Sequence, residues 1–421
     1  MSTETSNNSN DGNQAVYRSF TEIVWSQFQH YPSSYYALWG LGLLFLVALV
    51  APVLAMNVPF YLYVPEGVGP QAIQGVSFPW FWALFDINFF ENNVDIFFNV
   101  LLFTLPTNLL VWFFMRPTDL LDKNTSKSKR RYKEFRMRFI WISIAAQILL
   151  IATMFMVDFR QPYVDYTALA DKEGVRAIFP IFEYSYRDVE LMSTGMSPNW
   201  EHWLGTDRQG RDVLTRIIYG TRISLTIGVV AMSLATFIGT LLGSLGGYFG
   251  GWVDMIILRL IELFLVFPAF YLILTLRGFI EEPSIFYVMA IIGIVYWTGI
   301  ARLVRGEFLR LRNEDFVQAA KALGLPEGRV IFRHVLPNAL GPVLVNVTFG
   351  IAGAILFEAV ISFLGVGDPT APSWGQILKG GDDTGRLVLM LGPGFALFVT
   401  ITILNLIGEG LRDAMDPKMR K

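Results

Sequence analysis

The sequence predicts an all-α fold, a polytopic transmembrane helical bundle of about eight spans. Of the 421 residues, 53% are hydrophobic and 15% are aromatic, and only 16% are charged, against about 25% in an ordinary soluble domain. The mean hydropathy is +0.46. One soluble core could not bury this much apolar surface, and several segments reach the roughly 20 apolar residues that cross a bilayer as a helix.

The predicted spans follow one another along the chain from residue 37 to residue 407. Each is a run of mainly apolar residues, and the weakest is 285–301. The predicted spans are 37–56, 96–115, 139–157, 224–245, 255–276, 285–301, 339–364 and 387–407.

Lysine and arginine are distributed unevenly between the loops that join these spans. Residues 57–95 contain none, whereas residues 116–138 contain nine. Because cytoplasmic loops are enriched in these residues, we expect both termini to face the cytoplasm. The predicted organisation is a cytoplasmic tail (1–36), a first span followed by a two-span hairpin (37–157), an external loop (158–223) and a five-span core (224–421).

Several classes of protein are disfavoured by what the sequence lacks. A net charge of −2 gives a nucleic-acid partner no electrostatic support. There is no cysteine, and the three histidines are far apart, so no metal site and no catalytic residue are predicted. No glycine precedes a lysine, which excludes a P-loop. If nucleotide energy drives this protein, another chain must bind the nucleotide.

Few ionisable residues lie within the predicted spans. Arg259 and Glu262 are three residues apart, so they can pair on one helix face. They are either a mutually neutralised pair or part of a polar lining of a water-filled path, since charge inside a membrane is costly. Glu358 has no obvious partner on its own helix, so we expect it to face protein or water.

Glycine and proline indicate how the spans pack and bend. Gly239, Gly243 and Gly247 recur every four residues, a spacing that lets two helices approach closely. Prolines within three spans are expected to bend them, and these are Pro268, Pro342 and Pro393.

The inner loop 302–338 is predicted to hold two short helices. Asn313 is the expected N-cap of the first, and Gly324 is expected to end it in a position that favours positive φ. A second helix is expected to begin at Pro326 and to end at Pro337. The first helix is expected to present one small, alanine-rich face, made of Phe316, Ala319, Ala320 and Leu323.

This loop could lie on the lipid surface or could dock into another protein. A lipid-binding face is usually rich in Leu, Phe or Trp, whereas this one is small. The composition therefore favours a fit into a cleft of a partner protein.

Residues 318–320, Gly324 and the segment 334–338 resemble the EAA loop of permease subunits from bacterial binding-protein-dependent ABC importers. Gln318 replaces the acidic residue of the general pattern, and His334 replaces a branched apolar one. Other segments resemble the dipeptide, oligopeptide and nickel branch in the order that this branch shows. They are 205–212 (GTDRQGRD) with Arg216, Gly220 and Arg222, then 267–268, 358–359, 362–365, 372–375 and 412–417.

The resemblance implies a type I ABC importer permease core in the bacterial plasma membrane. It implies as partners a second homologous permease, two ATP-binding cassette subunits, an extracytoplasmic binding protein and membrane lipid. ATP and Mg would be bound by the partner subunits and no cofactor by this chain, which would be a transport subunit and not an enzyme. Because the family usually has one span before segment 205–212, the resemblance marks 96–157 as an inserted hairpin.

The resemblance also assigns roles to residues. Residues 307–338 become an EAA-like coupling loop, with ATPase coupling assigned to Asp315, Gln318, Ala319, Ala320, Leu323, Gly324 and Leu325. In the external segment, Asp207, Arg208, Arg211 and Asp212 either form a solvated, internally paired face or guide the substrate or the binding protein. Arg259, Glu262 and Glu358 remain possible pathway or structural charges.

The expected substrate is a peptide, and the same machinery could instead import nickel or another small solute. Two other classes are weaker. An autonomous channel or secondary carrier would need no docking loop, and a membrane enzyme would need titratable residues clustered at one depth.

Overall fold

The computed structural model describes residues 20–68, 73–86, 89–90, 92–115, 126–156, 164–280, 284–383 and 385–415. The chain termini beyond these ranges, including most of the predicted tail and the motif residues 416 and 417, lie outside the described residues.

Long helices dominate the described chain. In chain order they are α1 (Phe20–Phe28), α2 (Pro32–Leu54), α3 (Pro79–Ala83), α4 (Asn93–Met115), α5 (Ser126–Met156), α6 (Tyr166–Ala170), α7 (Val213–Phe249), α8 (Gly251–Val266), α9 (Ala269–Gly278), α10 (Ile285–Leu311), α11 (Asp315–Ala322), α12 (Glu327–Val330), α13 (Leu336–Phe363), α14 (Trp374–Asp383) and α15 (Leu387–Met415). Three short strands accompany them: β1 (Tyr61–Val64), β2 (Gly75–Ser77) and β3 (Arg176–Ile178).

The predicted bundle of about eight spans is confirmed. Within the described residues, seven helices are long and apolar enough to cross a membrane, and the bent pair α8–α9 makes an eighth if it counts as one span. Two helices start earlier than expected. Helix α7 begins at Val213 because Asp212 caps it, and α5 begins at Ser126, inside the basic stretch expected to be loop.

The span expected at 255–276 is not one straight helix. It is broken between α8 and α9, whose axes differ by 84°. Pro268 lacks an N–H for helix hydrogen bonding and disfavours helical geometry in the residue before it. Phe267 is accordingly extended, with φ −91° and ψ 128°. Pro342 and Pro393, in contrast, lie inside the continuous helices α13 and α15.

Helices α7 and α10 form the closest pair in the bundle through the predicted glycines. A Cβ built at Gly239, Gly243 or Gly247 would lie under 3.0 Å from α10, and the atoms it would meet include backbone oxygens. The expectation of close helix approach is thus confirmed, and the contact lies within this chain. Any larger side chain at these positions would push the two helices apart.

A small antiparallel sheet joins the two segments predicted to be external. Strand β1 pairs with β2 in the loop after α2 and with β3 in the segment after α5. The side chain of Asn57 donates a 3.0 Å hydrogen bond to Asp188, which links the same two segments again. Burial raises the pKa of Asp188 to about 6, although hydrogen bonds from Ser185 and Asn57 oppose the shift. Both segments therefore lie at one end of the bundle, called here the sheet end.

The first and last described helices meet at the opposite end of the bundle. Gly410 of α15 packs against Ser34 of α2 and Phe28 of α1. Gly341, near the start of α13, lies beside Met415. Both ends of the described chain are therefore on the side of the loop between α10 and α13, called here the loop end.

A fully buried ion pair lies where α2, α4 and α7 meet. Arg222 of α7 has no exposed surface, and its Nη1 lies 3.0 Å from Oδ1 of Asp95 on α4, which is equally buried. Tyr186 donates its hydroxyl to the other oxygen of Asp95, at 3.1 Å. The ion pair therefore joins the core helix α7 to the predicted inserted hairpin and to the external segment.

A proline in α2 supplies the third partner of this arginine. Pro52 has no N–H to donate to the carbonyl of Ala48, four residues earlier. Arg222 Nε donates to that carbonyl at 2.6 Å. The guanidinium carbon also lies 5.3 Å from the ring centroids of Phe98 and Tyr219. One side chain thus satisfies a carbonyl freed by the proline and the carboxylate of another helix.

We expect Asp95→Ala to destabilise the purified protein by about 3–5 kcal/mol, because it leaves Arg222 buried without a counter-charge. Combining Arg222→Met with Asp95→Leu should cost less than the sum of the two single changes, measured as unfolding free energies in detergent. The exposed pair Arg310–Glu307 is the control, and Glu307→Ala should cost under about 1 kcal/mol. Additive effects at Arg222 and Asp95 would show that the two charges are not coupled.

Candidate functional site

The predicted coupling loop lies at the loop end, between α10 and α13. Its first helix, α11, starts after Glu314, which has the extended N-cap conformation and makes no side-chain cap hydrogen bond. The prediction that Asn313 is the N-cap is wrong. The Asn313 side chain instead donates to the carbonyl of Leu309, so it satisfies the end of α10.

Helix α11 ends at the predicted glycine. Gly324 has φ +73°, which confirms the expectation of a positive φ. The N–H of Leu325 bonds the carbonyl of Ala320 at 3.3 Å, closing the reversed turn that glycine makes possible at a helix end. A Cβ at Gly324 would meet no atom within 4 Å, so the constraint on this position is conformational and not steric.

The two faces of α11 differ from the predicted pattern. Val317 and Ala320 are buried in the core of this chain, so Ala320 does not belong to the outward face. Residues three apart lie on the same face of a helix, so Ala320 faces the core of this chain together with Val317. Phe316, Ala319 and Leu323 do share an exposed face, and Leu323 is 81% exposed. We call these three residues the outward face.

The second half of the loop does not end at Pro337 as expected. Helix α12 continues through a π-helical turn, Ile331–Val335, directly into α13. Pro337 lies in the first turn of α13, where a missing N–H is tolerated. The second half of the loop is therefore the start of a continuous helical run over residues 327–363, which crosses the core.

Two contacts that the sequence did not reveal lie at the loop end, one between α10 and α8 and one between α11 and α7. Arg305 of α10 binds both carboxylate oxygens of Asp254 on α8, with the Nη2–Oδ2 distance at 2.7 Å. The ammonium group of Lys321 lies 5.0 Å from the ring centroid of Tyr248, near the end of α7. Helix α11 therefore contacts the end of α7.

In the external segment, three of the four predicted charges are paired within the chain. Asp207 accepts hydrogen bonds from Arg211 Nε, at 2.8 Å, and from the buried Arg216. Burial would raise the pKa of Asp207, but the positive charges of Arg216 and Arg211 outweigh it and hold this pKa below its usual value. Asp212 accepts from the N–H of Thr215, at 2.7 Å, and so caps α7.

The fourth residue, Arg208, is exposed and makes no ion pair with any other described residue. Asp212 has a further partner that sequence reasoning missed, the buried ring of His202, whose Nδ1 lies 2.9 Å from Oδ2. The structure thus shows internal pairing for Asp207, Arg211 and Asp212, and leaves Arg208 available.

The motifs that carry the family resemblance pack against one another at the sheet end. Arg216 donates to Gln376 at 2.6 Å, and the indole N–H of Trp374 donates to the carbonyl of Ile217 at 3.1 Å. Gly220 provides the room for Trp374, and Gly375 fits against the backbone of Ala359. These residues therefore form one structural assembly around the start of α7.

The three remaining predicted charges, Arg259, Glu262 and Glu358, differ in exposure: the first two are exposed and the third is buried. Arg259 Nη1 lies 2.6 Å from Glu262 Oε2, which confirms the pair, but their side chains are 76% and 56% exposed on this chain. Glu358 is buried and does have a partner on its own helix, contrary to expectation. Ser362, one turn later, donates its hydroxyl to Glu358 at 2.6 Å.

Together, the bundle of spans and the protruding two-helix loop define the membrane subunit of a transporter. Residues 239–421 match the family described as binding-protein-dependent transport system inner membrane component. The dipeptide transport system permease protein DppC of Alkalihalophilus pseudofirmus is 41% identical over 242 residues, covering 56% of this chain and 78% of that protein. The oligopeptide permease OppC of Escherichia coli is 40% identical, covering 56% of this chain and 80% of that protein.

Another oligopeptide permease, OppC of Haemophilus influenzae, is 39% identical over 57% of this chain and 78% of its own length. The solved MetNI methionine ABC transporter, in inward-facing conformations, aligns with a TM-score of 0.41 and 18% identity, covering 48% of this chain and 97% of that one. The chain belongs to the family of binding-protein-dependent inner-membrane permeases. It is thus a transport subunit that works with ATPase and binding-protein partners, and it is not itself an enzyme.

Proposed function

We propose that this chain forms, with a second homologous permease, the pathway through which an ATP-driven importer takes up peptides. The outward face of α11 carries the proposal, because it exposes Phe316 and Leu323 to solvent at the end opposite to the sheet. Two ATP-binding cassette subunits would dock there and would bind ATP and Mg. An extracytoplasmic binding protein would deliver the solute at the sheet end.

A peptide substrate is supported by the similar permeases, which are named for dipeptide and oligopeptide transport. The coupling residues form two groups in this proposal. Ala319 and Leu323 contact the ATPase, while Ala320, Gly324 and Leu325 shape the helix that presents them. Asp315 and Gln318 are exposed beside this face, and Gln318 donates to the carbonyl of Arg312, which steadies the start of α11.

The second permease is placed against α8. Arg259 and Glu262 form an ion pair on this helix, and both side chains are exposed on this chain. An ion pair that faces lipid would be costly. The side chains around it, including Leu263 and Val266, are exposed and apolar. A protein surface with a polar patch opposite the ion pair would cover the pair and the apolar side chains around it.

Replacing Leu323 with Asp should abolish retention of the ATPase subunits when the complex is purified, because it places a charge in an apolar contact. The matched control is Leu191→Asp. Leu191 is also 81% exposed but lies in the external segment, so this variant should retain the ATPases. Gly324→Val should reduce ATPase retention as well, since valine resists the φ of +73°.

Full retention of the ATPases and parental uptake in Leu323→Asp would contradict docking at this face. Loss of the protein from the membrane would instead point to misfolding. Circular dichroism and the melting temperature of the isolated variants separate the two outcomes.

Both termini are proposed to be cytoplasmic, since both described ends lie at the loop end and the lysine-rich stretch begins α5 at that end. Reporter fusions at Lys127 and Asn313 should therefore signal a cytoplasmic location. Fusions at Glu66 and Glu190 should signal an external one. An external signal at Lys127 would mean that α4 and α5 do not both cross the membrane.

A further inference from the structure

A polar cleft of about 460 Å³ opens at the sheet end, beside the external segment. Its walls come from three parts of the chain: the segment that precedes α7, the end of α9, and the connection from α13 into α14. The lining side chains that bear charge are Arg208, Arg211, Arg277, Asp368, Lys379 and Asp383.

Three of the cations in this cleft, Arg208, Arg277 and Lys379, have no Asp or Glu within ion-pair distance in the part of the chain that the structure describes. Arg277 donates instead to two backbone carbonyls, those of Val366 at 3.1 Å and Ile280 at 2.7 Å. These bonds fix the guanidinium in place, and no acid among the described residues pairs with it.

Two carboxylates also line the cleft. Asp368 accepts hydrogen bonds from the N–H of Ile285 and from the N–H and hydroxyl of Thr370, which fix its position and leave its negative charge in place. Asp383 is exposed. Among the described residues that line the cleft, four cations face these two carboxylates, so the lining carries a net positive charge.

The backbone is shaped to bring Lys379 into the cleft. Gly365, at the end of α13, has φ +79°, and the Lys379 ammonium group lies where its side chain would be. No other residue type would leave that space. The ammonium group therefore lies against the turn after α13, at the wall of the cleft.

We propose that this cleft binds a carboxylate of the transported solute as it enters from the sheet end. The inference rests on the proposed function and extends it to a recognition site within the permease itself. A concave cavity of this volume is typical of small-ligand sites, whereas a protein contact would need a broader surface. Arginine and lysine side chains bind carboxylates through charge-assisted hydrogen bonds, and the cleft offers both.

The natural absence of cysteine gives a direct test in the full chain. Gln209 lines the cleft, is exposed and is neutral, so Gln209→Cys provides one thiol without changing the charge. The rate of its reaction is measured with a sulfonate-bearing thiol reagent and with a trimethylammonium-bearing one, in membranes that contain the full chain. A positive cleft attracts the anionic reagent and repels the cationic one.

Neutralising Arg208 and Lys379 together, as Arg208→Gln and Lys379→Gln, should lower the ratio of the anionic to the cationic rate about tenfold. The conservative pair Arg208→Lys and Lys379→Arg should keep the ratio. Lys172→Gln, at an exposed lysine outside the cleft at the same end, should leave it unchanged. An unchanged ratio in the neutralised variant would overturn the positive cleft.

The ligand is tested by protection. A tripeptide with a free carboxylate, at millimolar concentration, should slow labelling of the cysteine several-fold, and the same tripeptide with an amidated C-terminus should not. Equal protection by both peptides, or by neither, would overturn carboxylate recognition. Protection by the solute-free binding protein alone would also overturn it, because the cations would then serve protein docking.

This labelling does not depend on transport, so it stands apart from the proposed function. If Leu323→Asp retains its ATPases and transports normally while the cleft still discriminates between the two tripeptides, the docking proposal fails and the cleft proposal survives. The reverse result, loss of ATPases with no discrimination, sustains docking and overturns the cleft.

Discussion

A buried arginine constrains the whole arrangement of helices at the sheet end. A buried guanidinium without partners is costly, and Arg222 finds its hydrogen-bond partners on α2 and α4, the Ala48 carbonyl and the Asp95 carboxylate. Pro52 contributes to this arrangement because it has no N–H to donate to the Ala48 carbonyl. That carbonyl is therefore free to accept a hydrogen bond from the guanidinium. The hairpin α4–α5 is therefore an electrostatic component of the permease core, since it provides Asp95.

The two ends of the molecule share core helices and differ in how their residues pack. At the sheet end, the family motifs are used to pack one another, as Trp374 on Gly220 and Gly375 on Ala359 show. At the loop end, α11 buries Val317 and Ala320 and exposes Leu323. Helix α7, which carries Arg222, reaches from Asp212 at one end to Tyr248 beside Lys321 at the other, so it links the two ends of the molecule.

Sequence reasoning located features that depend on neighbours along the chain. The apolar spans, the Gly239–Gly243–Gly247 face, the Arg259–Glu262 pair and the positive φ of Gly324 all follow from local spacing. Features set by distant parts of the chain were missed. Asp95 and Arg222 are 127 residues apart, and the burial of Ala320 depends on where the core lies relative to α11. The continuous helix at Pro337 depends on a π-helical turn that no spacing rule predicts.

The central claim is that the Arg222–Asp95 pair fixes α4 to the core helices as one body. Spin labels can test it in the cysteine-free chain, on Leu109→Cys in α4 and Val229→Cys in α7, two exposed positions, with the distance between labels measured by pulsed dipolar spectroscopy. The account predicts one narrow distance distribution, identical in the assembled complex with and without ATP, that broadens in Asp95→Ala. A distance that shifts with nucleotide, or an equally narrow distribution in Asp95→Ala, would contradict it.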